Sequence, residues 1–202
     1  MKKIIVAGIG TEIGKTVCSA ILCEALKADY WKPVQAGELE NSDSHTISSL
    51  VSNPEIIIHP ESYRLTNPMS PHAAASLDGI AIDISTISIP ESKKNMVIEL
   101  AGGLFVPLNN NSLNIDWIEK SGLPVILVSQ YYLGSINHSL LSWEALKNRN
   151  IPMLGFIFNG KKVQSTFDII MKYTGEKCLL EVDQEPTLNK NIITDYARKF
   201  EL

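Results

Sequence analysis

The segment KIIVAGIGTEIGKT, residues 3–16, contains the clearest structural signal in this sequence. Its apolar run over residues 4–7 is typical of a buried strand, and the glycine-rich stretch 8–14 follows directly. A helix-forming stretch comes next, from residue 17 to residue 28. A strand, a glycine-rich loop and a helix in this order form a cradle in which backbone N–H groups converge on a phosphate. The segment therefore predicts binding of a nucleoside triphosphate.

Two side chains at the end of the loop suit the same ligand. Lys15 adds positive charge to the cradle, and the Thr16 hydroxyl can bind the Mg²⁺ that accompanies a triphosphate. The loop departs from the strict phosphate-loop pattern, because Ile9 stands where that pattern has its first glycine, ahead of Gly14. A glycine-rich turn that binds nothing is the alternative. It would leave a lysine at a helix start, where the helix dipole disfavours a cation unless an anion is present.

The overall composition limits the class of protein. The 202 residues suit one α/β domain over 1–202, and an apolar content of 45% allows a full core. The net charge is −4 and no block of basic residues occurs, which argues against a nucleic-acid partner. No apolar run is long enough to span a membrane, and the N-terminus lacks the signal-peptide pattern. Cys18, Cys23 and Cys178 do not suggest a disulfide framework, so we expect a cytoplasmic protein without membrane attachment.

Short apolar strands alternate with helical stretches along the chain. Strands are predicted at 3–8, 30–34, 95–100, 124–129, 153–158 and 177–181. Helices are predicted at 15–28, 43–51, 70–78, 113–121, 136–148, 164–173 and 187–199. The stretch 79–94 mixes strand and turn signals and is assigned no element. This alternation predicts a P-loop-type α/β fold, with a mostly parallel sheet covered by helices on both faces in a single domain.

Charged residues follow the predicted strands, at the edge of the sheet where such folds bind ligands. Lys32 follows the second strand, and it is either an edge-strand lysine that reaches water or a second cation aimed at phosphate oxygens. Asp43 either caps a helix or binds a metal, and Glu99 either is a structural carboxylate or needs a cation at the end of a buried strand. Together with Thr16, these two carboxylates would supply three oxygen ligands for Mg²⁺.

Two later strand ends are also candidates for ligand contacts. Gly134 and Ser135 open a predicted helix and leave free N–H groups that suit a carboxylate or a phosphate. Asn159 ends the fifth predicted strand, and its amide has the donor and the acceptor needed to recognise an adenine edge. A turn formed by Asn159 and Gly160 explains that dipeptide equally well.

The order of these segments resembles the ATP-dependent dethiobiotin synthetase family. The resemblance covers residues 3 to about 160 and rests on GIGTEIGKT, WKPVQAG, NSD, SPH, IELAGGLFVPL, PVILVS, LGSINH and the strand end at Asn159. It implies carboxylation and ring closure of 7,8-diaminononanoate with CO₂ and MgATP, in the synthesis of biotin. It also implies a homodimer whose active sites are shared between subunits.

The resemblance assigns roles to particular residues. The implied catalytic residues are Thr11, Lys15 and Lys32, and the implied Mg²⁺ ligands are Thr16, Asp43 and Glu99. The implied nucleotide contacts are Glu12, Ile13, Gly14, Lys15, Thr16, Val17, Asp43, Glu99, Gly102 and Asn159. The implied substrate contacts are Glu12, Lys32, Gly134, Ser135, Ile136 and Asn137, the last four reaching the substrate carboxylate from the neighbouring subunit.

The sequence departs from the family at three places. Ala36 stands where a hydroxyl residue is usual, and Leu100 replaces the first glycine after the metal-binding glutamate. The C-terminal segment 175–186 lacks the usual element near the base, from which we hypothesise a relaxed nucleotide choice. Three alternatives stay open: a cobyrinic acid diamide synthase-like ligase, which usually has a glutaminase domain; a partitioning-type ATPase switch; and a degenerate member that binds nucleotide without turnover.

Overall fold

The first predicted strand lies at the centre of the sheet. The computed structural model describes all residues from Met1 to Leu202. Its strands are β1 (Lys3–Gly8), β2 (Asp29–Trp31), β3 (Val34–Ala36), β4 (Ile58–His59), β5 (Tyr63–Leu65), β6 (Met96–Gly103), β7 (Val125–Gln130), β8 (Met153–Asn159) and β9 (Cys178–Val182). Its helices are α1 (Lys15–Leu26), α2 (Asp43–Leu50), α3 (Pro71–Leu77), α4 (Asn114–Ser121), α5 (Ser135–Asn148), α6 (Gln164–Thr174) and α7 (Lys190–Ala197), with a short 3₁₀ turn at Leu39–Asn41.

Seven strands form one sheet in the order β4-β2-β6-β1-β7-β8-β9, and every registered pair in it is parallel. The connection from β1 through α1 runs to one side of β1, whereas the connection from β7 through α5 runs to the other. Because such crossovers are right-handed, α1 and α5 cover opposite faces of the sheet. This confirms the predicted P-loop-type α/β class, in which helices cover both faces of a mostly parallel sheet.

The predicted strand at 30–34 is confirmed only for residues 30–31, because the chain leaves the large sheet at Lys32. β2 ends at Trp31, and Pro33, which has no N–H to donate, separates it from β3. β3 pairs instead with β5 in a small two-stranded parallel sheet. The short strands β4 and β5 were not predicted from the sequence, since neither is longer than three residues. The stretch 79–94 contains no helix or strand, as expected.

The apolar pattern of the central strands explains their burial. Ile4 to Ala7 on β1 and Val125 to Val128 on β7 are at most 1% exposed, as expected for strands covered on both faces.

Because β1, β6 and β7 are parallel, their carboxyl ends meet at one edge of the sheet, and β1 leads there directly into the glycine-rich loop. Adjacent strands β1 and β7 send their connections in opposite directions, so the loop lies at a topological switch point. None of the helices is long and apolar enough to cross a bilayer.

Candidate active site

A cavity of about 670 Å³ lies at the carboxyl edge of the sheet, in front of the glycine-rich loop. Its walls come from the loop and the start of α1, the chain around β3, the segment 68–71 and the end of β6. The sequence-predicted residues that line it are Thr11, Glu12, Ile13, Gly14, Lys15, Thr16, Val17, Lys32, Asp43, Glu99 and Gly102. The fold thus gathers most of the predicted residues around one space.

The end of the loop requires glycine for two reasons. Gly14 has φ +84°, a left-handed conformation that a side chain rarely adopts. A Cβ atom at Gly14 would also lie 2.2 Å from Nδ2 of Asn159. That amide nitrogen donates a hydrogen bond to the carbonyl oxygen of Ile13 over 3.0 Å. Asn159 therefore packs beneath the loop and supports it, and it does not line the cavity.

The three predicted oxygen ligands converge on one point. Oγ1 of Thr16 lies 2.5 Å from Oδ1 of Asp43 and 2.9 Å from Oε1 of Glu99. Asp43 is the first residue of α2, and Ser42 occupies the capping position, so the helix-cap interpretation of Asp43 is wrong. Tyr30 donates a hydrogen bond to the other oxygen of Glu99 over 3.1 Å. A set of one hydroxyl and two carboxylate oxygens fits Mg²⁺, which prefers oxygen ligands.

Lys32 joins the same cluster. Its Nζ atom lies 2.6 Å from Oδ2 of Asp43 and 3.4 Å from Oε1 of Glu99, and the residue is only 5% exposed. The edge-strand interpretation is therefore wrong, because β4 forms the edge of the sheet and the lysine does not reach water. Burial alone would lower the pKa of Lys32, but the Glu99 and Asp43 carboxylates raise it above its usual value. The lysine thus stays charged.

Lys15, unlike Lys32, has no carboxylate partner. Its ammonium group donates to the carbonyl oxygen of Gly10 over 3.0 Å and forms no ion pair. Burial, which the Glu99 carboxylate opposes and the neighbouring charge of Lys32 reinforces, lowers its pKa to about 8. A buried cation without an anionic partner is stabilised by a bound anion. Lys15 therefore has the properties of a phosphate-binding group.

The predicted helix start at residues 134–137 lies outside the cavity. Gly134, with φ +101°, precedes the first residue of α5, and Ser135 is buried while Ile136 and Asn137 are exposed. The preceding Leu133 is fully exposed, which is unusual for a large apolar side chain. This segment therefore does not contact the cavity of its own chain, and its predicted role depends on a second subunit.

Two parts of the cavity wall were missed from the sequence. The first is Gln35 on β3, whose only sequence signal is its place in the WKPVQAG segment. The second is the segment Pro68 to Pro71, whose only signal was the helix start at Ser70 and Pro71. Pro68 packs closely against Gly37, and a Cβ atom added at Gly37 would lie 2.5 Å from Pro68. Such a contact between distant segments has no local sequence signal.

Comparison with known proteins agrees with this geometry. A family model described as an AAA domain matches residues 2–191. An ATP-dependent dethiobiotin synthetase BioD of Christiangramia forsetii is 52% identical over 98% of this chain and 96% of its own length. The protein of the same name from Cytophaga hutchinsonii is 49% identical over 98% and 97% of the two chains. The chain belongs to the ATP-dependent dethiobiotin synthetase family.

Solved structures place this dethiobiotin synthetase family member among P-loop ATPases by fold. The cell division ATPase MinD of Pyrococcus furiosus superposes with a TM-score of 0.60 over 98% of both chains, at 12% identity. A putative plasmid partition protein of Borrelia burgdorferi, solved with AMPPNP, gives 0.60 over 98% of this chain and 95% of its own, at 13% identity. Identities this low establish the shared fold alone. Family membership favours the synthetase interpretation over the partitioning-type switch.

Proposed function

We propose that the protein catalyses ATP-dependent carboxylation and ring closure of 7,8-diaminononanoate to dethiobiotin. The observation that supports this proposal is the cluster of Thr16, Lys32, Asp43 and Glu99 beside a glycine-rich loop. Phosphoryl transfer needs a bound metal ion and positive charge near the phosphates. The family membership supplies the substrate class. The cavity volume of about 670 Å³ suits a nucleotide phosphate chain and a small diamine.

Thr16, Asp43 and Glu99 are the residues that would hold Mg²⁺. When bound there, the ion would neutralise charge on the phosphate oxygens and orient the transferred group. The oxygen-only donor set supports this assignment, as does the short separation of Thr16 from both carboxylates. Lys32 would balance the carboxylate charge that remains, because it already contacts both acids.

The proposed reaction proceeds in three steps. One amine nitrogen attacks CO₂, loses a proton and becomes a carbamate. A carbamate oxygen then attacks the γ-phosphorus, and the bond to ADP breaks. The second amine attacks the carbonyl carbon of this mixed anhydride and gives up a proton to solvent, phosphate leaves, and the cyclic urea forms. The chain contributes mainly positioning and positive charge, with Lys15 and Lys32 stabilising the charge on the transferred phosphoryl group.

The remaining predicted residues have positioning roles in this proposal. Thr11 and Glu12 would contact the phosphates and the diamine, since both line the cavity beside the loop. The other proposed nucleotide contacts are Ile13, Gly14, Val17, Gly102 and Asn159. Asn159 would recognise the base with its carbonyl oxygen, because its amide nitrogen is bonded to the loop.

The active site of this proposal is shared across a homodimer. Gly134 to Asn137 would bind the substrate carboxylate of the neighbouring subunit through free N–H groups at the start of α5. The exposed Leu133 and Ile136 support an apolar contact beside this helix start. The unpaired thiols of Cys18 and Cys23 fit a reducing compartment, so we propose that the enzyme works in the cytoplasm.

Phosphate release with defined substrates tests the proposed activity. The purified protein is supplied with MgATP and bicarbonate, with or without 7,8-diaminononanoate. Release should depend strictly on the diamine, and an analogue that lacks one amine should not yield a cyclic product. Release that ignores the diamine would instead indicate a switch ATPase, and nucleotide binding without release would indicate a degenerate family member.

A further inference from the structure

One wall of the cavity contains a buried polar group that the proposed reaction does not use. Gln35 on β3 lines the cavity and is only 5% exposed. Its Nε2 atom donates a hydrogen bond to the carbonyl oxygen of Gly37 over 3.0 Å. Its Oε1 atom is buried and has no hydrogen-bond partner. Buried acceptors without partners are rare and costly, so this oxygen calls for a donor.

The orientation of the Gln35 amide is fixed by its neighbour. Turning the amide over would bring Oε1 against the carbonyl oxygen of Gly37, and two acceptors repel each other. The Nε2 atom is therefore committed to Gly37, and only an acceptor remains for a ligand. A ligand group that meets Gln35 must accordingly present an N–H or an O–H.

The other buried polar side chains of this cavity already have partners. Lys15 donates to a loop carbonyl, and Lys32 pairs with the carboxylate of Glu99. Glu99 also accepts hydrogen bonds from Thr16 and Tyr30. The next residue, Ala36, has no hydroxyl to offer. Among the buried polar groups that line the cavity, Oε1 of Gln35 is thus the atom left for substrate recognition.

We propose that Gln35 determines specificity by accepting a hydrogen bond from one amine of the diamine substrate, and this inference rests on the proposed function. Amines are hydrogen-bond donors, and an amine must be uncharged to attack CO₂ or the mixed anhydride. A neutral amide oxygen binds the uncharged, nucleophilic form of an amine, whereas a carboxylate at this position would stabilise the unreactive ammonium form.

The location of Gln35 allows the small movement that this contact needs. Because Oε1 is buried, an amine reaches it only when the side chain shifts toward the cavity. β3 has three residues, lies outside the large sheet and is paired only with β5, so such a shift disturbs little of the core. The contact therefore forms as the diamine is bound.

The test compares two substitutions at Gln35 with one control. Both substitutions remove the Nε2 donor to Gly37. Gln35→Met keeps the length of the side chain and also removes the acceptor, whereas Gln35→Glu keeps an acceptor and adds charge. Gln164→Met is the matched control, since Gln164 is exposed on α6, its side chain bonds only to Asp168 and it does not line the cavity. The measurements are the KM values for diaminononanoate and MgATP, the pH dependence of kcat, and the Tm of each variant.

We expect Gln35→Met to raise the diamine KM by about tenfold with little change in the KM for MgATP, and to lower Tm because the hydrogen bond to the Gly37 carbonyl is also lost. Gln35→Glu loses the same hydrogen bond to Gly37 but keeps an acceptor, so it should raise the diamine KM less than Gln35→Met does and move the kcat profile to higher pH, because its charge favours the ammonium form. An unchanged diamine KM in Gln35→Met would overturn the inference. Equal rises in the diamine KM of the two variants would also overturn it, since that pattern follows from loss of the hydrogen bond to Gly37 alone and indicates a structural role. Absence of diamine-dependent turnover in the unsubstituted protein would instead refute the proposed function itself.

Discussion

The Nζ atom of Lys32 lies 2.6 Å from Oδ2 of Asp43, and the ammonium group is almost completely buried. This pair joins the end of β2 to the first turn of α2 and holds a cation beside the predicted phosphate position. Breaking a buried ion pair by removing one partner leaves an uncompensated charge. Removing Lys32 would therefore leave the Asp43 carboxylate without its cationic partner.

Lys32→Ala should lower kcat about tenfold to a thousandfold, because the charge aimed at the transferring group is lost. Lys15→Ala should have an effect of similar size. Lys177→Ala serves as the control, since Lys177 is exposed and its side chain forms no ion pair. Steady-state phosphate release measures all three variants, and near-normal turnover in Lys32→Ala would contradict the assigned role.

Substitutions at Thr16 separate metal binding from packing. Thr16→Val keeps the shape of the side chain but removes the hydroxyl that contacts both Asp43 and Glu99. The Mg²⁺ concentration for half-maximal activity should rise about tenfold or more, because one of three oxygen ligands is gone. Thr16→Ser keeps the hydroxyl and should restore the Mg²⁺ dependence. If valine and serine behave alike in a Mg²⁺ titration, the hydroxyl does not bind the metal.

Gly14→Ala should abolish nucleotide binding with only a modest loss of stability. The new Cβ would meet the Asn159 amide at 2.2 Å and displace the loop from its support. Gly175→Ala is a matched control, because Gly175 has φ +66° but has no atom within 4 Å of a Cβ. The control should cost about 1 kcal/mol of stability from backbone strain and leave catalysis intact. Calorimetric titration with nucleotide and thermal unfolding distinguish the two, and equal nucleotide affinity in both would exclude this role for the loop.

Mixed dimers test whether the active site is shared. Asn137→Asp adds a negative charge in the first turn of α5, where it favours the helix but repels a substrate carboxylate. Alone, this variant and Lys32→Ala should both be nearly inactive with the diamine. Mixed subunits should regain about a quarter of the activity, because half of random dimers are mixed and each contains one intact site. Without such a recovery, each site would have to be formed within one subunit.

Local sequence signals predicted the strand–loop–helix unit and the polar residues at the strand ends. Thr16, Asp43 and Glu99 could be found because parallel strands bring their carboxyl ends together. The break at Lys32 could not, because the residues around it form one apolar run and only the pairing of β3 with β5 reveals two strands. The support of Ile13 by Asn159 joins residues 146 positions apart, and no local pattern indicates it.

The roles that depend on ligands or on a second subunit remain predictions. The contact of Gly134 to Asn137 with substrate involves another chain. The hypothesis of relaxed nucleotide choice depends on the segment that follows β8. A comparison of turnover with ATP, GTP and CTP tests that hypothesis, and a strong preference for ATP would contradict it.

Incorporation of labelled bicarbonate into a cyclic urea examines the whole reaction in one measurement. The protein is supplied with ¹³C-bicarbonate, MgATP and 7,8-diaminononanoate, and the urea carbonyl is followed by NMR while phosphate is measured in parallel. The proposal predicts one labelled urea carbonyl for each phosphate released, with neither product formed when the diamine or the nucleotide is omitted. Phosphate released without any labelled urea would contradict it.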